Sequence, residues 1–117
     1  MSLQSLLDTL VGAVNGAEGA LVLDDNGEVV VEAGDGRERH RLIGAYQGIA
    51  LARARELGHR YSTGEILHIL CRYSGGHVIL RPLKEGYFLV VALSPVGNVG
   101  QGLHRSAVAQ ERMNAEL

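Results

Sequence analysis

The stretch YFLVVALS, residues 87–94, is apolar on both of its faces. Successive side chains of an extended chain point to opposite sides of a sheet. Tyr87, Leu89, Val91 and Leu93 therefore share one face, and Phe88, Val90 and Ala92 share the other. Neither face can be left to water. A strand of this kind belongs in the middle of a sheet with helices packed over both sides, so the rest of the chain has to supply flanking strands and two layers of helix.

The flanking strands are legible. GALVLDDNGEVVVEAG carries two aliphatic runs around DDNG, and Asn26-Gly27 supplies the positive φ angles of a tight hairpin turn. Strands are expected at about 18–24 and 28–33. After residue 58 come GEILHILCRY, a turn at SGG, HVILRPL, a turn at KEG, and YFLVVALS, which together read as an antiparallel meander. Joining the hairpin to the meander through their most apolar strands gives the order 2-1-5-4-3. Strands 1 and 5 lie at the centre, strands 2 and 3 at the edges.

Three helices remain. Over residues 2–15, Leu3, Leu6, Leu7, Leu10, Val11 and Val14 fall at i, i+3, i+4 spacing, with Ser2 as cap and Asn15-Gly16 as stop. Asp35-Gly36-Arg37-Glu38 has capping-box spacing, so a second helix should begin near residue 36 and run to Gly58. A third should start after Asn98 and carry a weaker stripe of Val99, Leu103, Ala107, Met113 and Leu117, interrupted by Ser106 and Gln110. The fold class is α+β, in the order α-β-β-α-β-β-β-α. The first and third helices cover one face of a five-stranded, mostly antiparallel sheet, and the second covers the other. A single domain over residues 1–117 is expected, for the length is that of one ordinary domain.

The second helix contains LIGAYQGIALA, residues 42–52, eleven positions without a charge. At about 100° per residue it divides into two non-polar arcs. Leu42, Ile43, Tyr46, Ile49, Ala50, Ala54 and Leu57 form one, suited to the sheet, with Arg53 oddly in its middle. Gly44, Gly48 and Ala52, flanked by Ala45 and Leu51, form the other. The two arcs together leave almost no face for water. The plainer reading is a helix covered by the protein's own elements, but the first and last helices are needed across the sheet. The small-residue arc is therefore expected to meet a second copy. GEILHILCRY supports this, because an apolar edge strand left bare invites pairing. The expected homodimer seam comprises Gly44, Ala45, Gly48, Leu51 and Ala52 of the helix with Ile66, His68 and Leu70 of the third strand.

Composition excludes several functions. Hydrophobic residues make up 46% and charged residues 21%, with a formal net charge of −2. This is a globular composition, without the basic balance of a nucleic-acid binder. Trp is absent and Phe88 is the only Phe, so platforms for base stacking are lacking. No run is long enough to span a bilayer and no secretory leader opens the chain, so a cytoplasmic location is expected. Cys71, the only cysteine, can form no internal disulfide.

Chemical motifs are few. GNVGQG, residues 97–102, opens a helix but has neither the G-x-G-x-x-G spacing nor a following Lys-Ser/Thr, and reads as a plain helix start. DDNGE lacks the ligand spacing of a calcium loop. His40, His59, His68, His77, His104 and Cys71 show no zinc spacing; His68 and Cys71 fall on opposite faces of a strand. No catalytic constellation, cofactor site or metal site emerges. Arg37, Arg39 and Arg41, with His40, gather at the start of the second helix, and Arg55 lies near its end. They are candidates for docking an acidic partner surface, against the plainer reading of a solvated helix end.

The element order, GALVLDDNGEVV near the start and SPVGNVGQGLHRSA leading into the last helix together resemble the roadblock / dynein light chain family. The resemblance rests on Gly19 to Gly27, Leu42 to Ala52, and Asn98, Gly100 and Leu103. It implies a profilin-like or longin-like sandwich that dimerises through its second helix and third strand. It also implies a non-enzymatic role as a platform for Ras-like small GTPases, with GTPase activation as one form. Other readings are a PAS-like small-ligand sensor and a structural subunit of a larger assembly.

Overall fold

The computed structural model describes residues 2–35 and 37–117, and for residues 37–47 the backbone alone. The elements are α1 (Leu3–Ala13), β1 (Ala17–Leu23), β2 (Val29–Gly34), α2 (Arg37–Arg60), β3 (Ile69–Tyr73), β4 (Gly76–Pro82), β5 (Phe88–Leu93) and α3 (Val99–Glu116). The five strands form one sheet in the order β2-β1-β5-β4-β3, and every neighbouring pair is antiparallel. The expected order, layers and fold class hold.

β5 is buried along its whole length. Leu89, Val91 and Leu93 join Leu6, Leu7 and Leu10 of α1, Ala109 and Met113 of α3, and Val22 and Ile79 of the sheet in one core. Phe88 and Val90 join Leu21, Leu23, Val78, Leu80 and Leu51 of α2 in the other. The alternation of YFLVVALS thus supplies both cores at once.

Local signals account for most boundaries. Ser5 N–H donates to the Ser2 hydroxyl at 3.1 Å and Gln101 N–H to Asn98 Oδ1 at 2.9 Å, so both expected N-caps are in place. The β1–β2 connection is looser than a two-residue turn. Only Gly27 has positive φ, and Asp24 Oδ1 accepts from the N–H groups of both Asn26 and Glu28. That Asx arrangement closes a loop over residues 24–28.

Two expectations need correction. The third strand begins at Ile69, not near Gly64. Ser62 (φ 55°) and Gly64 (φ 89°) turn the chain after α2, and the Leu67 carbonyl accepts from Arg81. Ile66, His68 and Leu70 consequently do not share one strand face: Ile66 packs with the α2-side core, Leu70 with the opposite core, and His68 is exposed.

The second correction concerns the faces of α2. Leu51 is 2% exposed and lies in the core against the sheet. A Cβ on Gly48 would sit 2.9 Å from Phe88 Cζ. Gly48 and Leu51 therefore face the sheet, whereas Ile49, Ala50, Arg53 and Leu57 are exposed. The assignment from helical periodicity fails at Gly48, Leu51, Ile49, Ala50 and Leu57, while Ala52 is exposed as expected; the bulk at this contact is carried by Phe88, and a helix resting on that ring needs a glycine there. Arg53 is no oddity on an outward face. Leu42, Ile43, Gly44, Ala45 and Tyr46 lie outside the described side chains, as does the capping box at 35–38.

Overpacking a filled core costs about 1–3 kcal/mol, whereas exposed helix substitutions stay within about 0.5 kcal/mol. Gly48→Leu is therefore expected to destabilise by about 1–3 kcal/mol in urea unfolding, and Ala50→Leu to leave the midpoint nearly unchanged. Equal midpoints for the two variants would return Gly48 to the outside.

Candidate protein-interaction surface

Two open features lie side by side in the chain. The first is the outer side of α2, where Ile49 (59% exposed), Arg53 and Leu57 (55%) recur every fourth residue, a spacing that aligns them along one side of the helix. The second is β3, whose only neighbour in the sheet among the described residues is β4. Leu67 (74%) just before it and Tyr73 (56%) at its end are largely exposed. Single exposed aliphatics are ordinary on monomers; here Ile49 and Leu57 lie along one helix side, broken by Arg53, that leads into the edge strand.

Of the residues expected at a dimer seam, Gly48 and Leu51 are taken up by the sheet contact. Ala52 and His68 are exposed, and Ile66 and Leu70 are half-buried. The surroundings of Gly44 and Ala45 fall outside what is described. Of the basic docking candidates, Arg55 is exposed, while Arg37, Arg39 and Arg41 also lie outside the described side chains.

Sequence reasoning missed Arg81. It lies in β4, 7% exposed, on the α3 side of the sheet. Its Nε donates to Ser106 Oγ at 2.8 Å and its Nη2 to the Leu103 carbonyl at 2.8 Å. Its Nη1 makes longer contacts, 3.4 Å to the Leu67 carbonyl and 3.5 Å to Gln110 Oε1. None of these partners is a carboxylate. Burial lowers its pKa from the ordinary arginine value. Ser106 and Gln110, which seemed to weaken the α3 stripe, are there to receive this guanidinium. Gln110 also donates to the Pro82 carbonyl at 2.6 Å. Alternation along HVILRPL already places Arg81 with His77 and Ile79 on an inward face. That is the signal that could have found it.

His77 is buried as well. Its Nε2 lies 3.2 Å from the Pro95 carbonyl, a bond that makes Nε2 the protonated nitrogen. Nδ1 is buried without a partner. Two of the three glycines of GNVGQG serve packing: a Cβ on Gly102 would approach Ile79 Cδ1 to 2.9 Å, and one on Gly97 would approach Leu93 Cβ to 3.1 Å. The amide of Gln101 is already taken by the Asn98 cap. Among the described residues no group of His, Cys, Asp and Glu could hold a metal ion, and no helix is long and apolar enough to cross a membrane.

A five-stranded antiparallel sheet with two helices on one face and one on the other defines a roadblock- or profilin-like α+β module. The chain belongs to the Roadblock/LC7 domain family, which it matches over residues 3–93. That family is mainly one of regulators and scaffolds. The fold is similar to that of a Roadblock/LC7 domain from Streptomyces avermitilis, at 16% identity and TM-score 0.87, covering 99% of this chain and 98% of the other. It is also similar to Myxococcus xanthus MglB, at 15% identity and TM-score 0.85, covering 97% and 92%. A more distant likeness joins it to LokiProfilin1, solved in complex with rabbit actin, at 12% identity and TM-score 0.60, covering 100% and 98%. No curated protein sequence matches this chain.

Hydrogen bonds to a charged group contribute about 1.5–3 kcal/mol, and stranding a buried acceptor costs about 1–3 kcal/mol. Arg81→Met, which leaves the Ser106 hydroxyl and the Leu103 carbonyl without their donor, is expected to cost at least about 1.5–3 kcal/mol. Arg81→Lys, which keeps a donor but cannot span the four acceptors, is expected to cost less. Urea unfolding of the pair checks the order, and a Met variant as stable as the wild type would contradict the clamp.

Proposed function

We propose that residues 1–117 act as one roadblock unit: a non-enzymatic, cytoplasmic homodimer that binds and regulates a Ras-like small GTPase. The observation that carries the dimer is the continuity of exposed apolar surface from Ile49 and Leu57 of α2 to Leu67 and β3. In the proposal two copies meet along α2 and pair β3 with β3, which buries the helix side and closes both bare sheet edges together. The seam differs from that drawn from helical periodicity: Ile49 and Leu57 take the place of Gly48 and Leu51.

The GTPase rests on family membership, and the mode of docking on chemistry. Exposed arginines beside an apolar platform steer an acidic partner surface and set its orientation. Arg55, with Arg37, Arg39 and Arg41 as further candidates, fills that role. In the proposal the partner supplies the nucleotide and this protein supplies a rigid surface that selects among the conformations of the GTPase, by which hydrolysis is accelerated.

Light scattering is expected to give a dimer at micromolar concentration. Ile49→Glu with Leu57→Glu should yield a folded monomer, while Val96→Glu, at a 92% exposed loop position, should leave the dimer intact. A monodisperse wild-type monomer would sink the dimer. For the partner, a pull-down with a Ras-like protein from the same genome is expected to depend on whether GTP or GDP is bound, and single-turnover hydrolysis should quicken on adding the dimer. Binding without acceleration would make the protein a tether, and no nucleotide-dependent binding to any such protein would remove the GTPase from the reading.

A further inference from the structure

Arg81 also bears on a second site. A cleft of ≈ 880 Å³ opens between the segment joining α2 to β3, the β4–β5 turn and the C-terminal half of α3. Leu67 and Gln110, the two acceptors of Arg81 Nη1, line its wall. At 3.4 and 3.5 Å those contacts are at the weak end of hydrogen bonding, so the least satisfied end of a buried, uncompensated cation lies behind this cleft. Arg55 and Lys84 stand on its rim, with Glu65 as the one carboxylate among the lining residues. Asn114 also lines it. Its Oδ1 is taken by the Lys84 N–H at 2.8 Å, which leaves the Nδ2 donors unclaimed among the described residues. Two of the last α2 carbonyls are engaged, Leu57 by the Tyr61 N–H and Gly58 by the Thr63 N–H; the C-terminal end of α2 still opposes an anion there.

We propose that this cleft binds a small anionic ligand, its carboxylate or phosphate group seated over the Leu67–Gln110 wall that stands in front of Arg81 and held by Lys84, Arg55 and the Asn114 amide. The volume is that of a metabolite site. The attraction is strongest where the cation is least hydrated: a charge held out of water acts across a lower effective dielectric than one on the surface, and a buried cation without a counter-charge gains most from acquiring one. Glu65 opposes the ligand and sets a ceiling on its affinity. The site does not depend on the GTPase reading. It lies beside the lead-in to β3, so occupancy would be felt at Leu67.

The test is a titration of the ¹⁵N-labelled chain with citrate and, separately, pyrophosphate, at constant ionic strength. Saturable amide shifts are expected at residues 64–67, Lys84, Gln110 and Asn114. Saturation by citrate alone identifies a carboxylate site, by pyrophosphate alone a phosphate site, and by both a general anion site. An exposed ion pair alters an equilibrium by up to about fivefold. Lys84→Gln should therefore raise the apparent Kd about threefold or more, and Glu65→Gln should lower it by a similar factor. Arg112→Gln, on the exposed side of α3, should leave it unchanged. Three results would overturn the proposal: no saturation with either anion, shifts spread equally over Arg72, Arg105 and Arg112, or affinities indifferent to both Lys84→Gln and Glu65→Gln. The same titration on the Ile49→Glu, Leu57→Glu monomer separates this site from the dimer, since it should still saturate there.

Discussion

The contact between Gly48 and Phe88 sets the disposition of the α2 side of the molecule. Phe88 is the one fully buried aromatic among the described residues, and β5 presents it at the start of a strand buried on both faces. A ring of that size leaves no space for a Cβ above it. The helix covering it must therefore offer a glycine and bring its next inward residue, Leu51, down beside the ring. Once that contact is made, geometry fixes the rest of the helix. Positions a half-turn away from Gly48 and Leu51 point to solvent, and in this sequence they include Ile49 and Leu57. An aliphatic outer side thus follows from packing one aromatic ring beneath the helix.

The same contact explains where sequence reasoning held and where it failed. The order of elements, the sheet topology and the caps at Ser2 and Asn98 were legible, because each depends on local chemistry or on period-two alternation. The side of α2 facing the sheet was not. A helix non-polar all round carries no polarity signal, and which arc is buried is decided by the volumes on the opposing surface. Large aliphatics were expected against the sheet; the sheet had already spent that volume on Phe88. The start of β3 failed for a related reason. GEILHILCRY alternates well enough for a longer strand, but Leu67 answers to Arg81, fourteen residues away in sequence. Tertiary hydrogen bonding overrode the local pattern.

Arg81 shows how a polar residue becomes structural when its acceptors are arranged in advance. Ser106 and Gln110 lie four residues apart on α3 and the Leu103 carbonyl one turn earlier, so a single helix side offers three acceptors to one planar group. The guanidinium ties β4 to α3 and, through Leu67, to the chain entering β3. The bonds to α3 are short where Nε and Nη2 make them, and long where Nη1 reaches Leu67 and Gln110. The clamp is firm on the core side and slack on the cleft side.

That asymmetry joins the two surfaces of the protein. β3 is an edge whose near end pairs with β4 at Ile69 and Leu80, and whose lead-in is tied to the sheet through Leu67 and the slack end of Arg81. An edge strand pairs best when its backbone is already extended and fixed, because ordering it on contact costs about 1–2 kcal/mol per residue. Anything that firms the Nη1 contacts would preorganise the lead-in to β3, and anything that competes for Nη1 would loosen it. In the proposed site a charged group would act, across Leu67 and Gln110, on the guanidinium that holds the lead-in to β3. Leu67 lines the cleft and leads directly into β3, so an anion bound as proposed would be coupled to the edge strand through that residue.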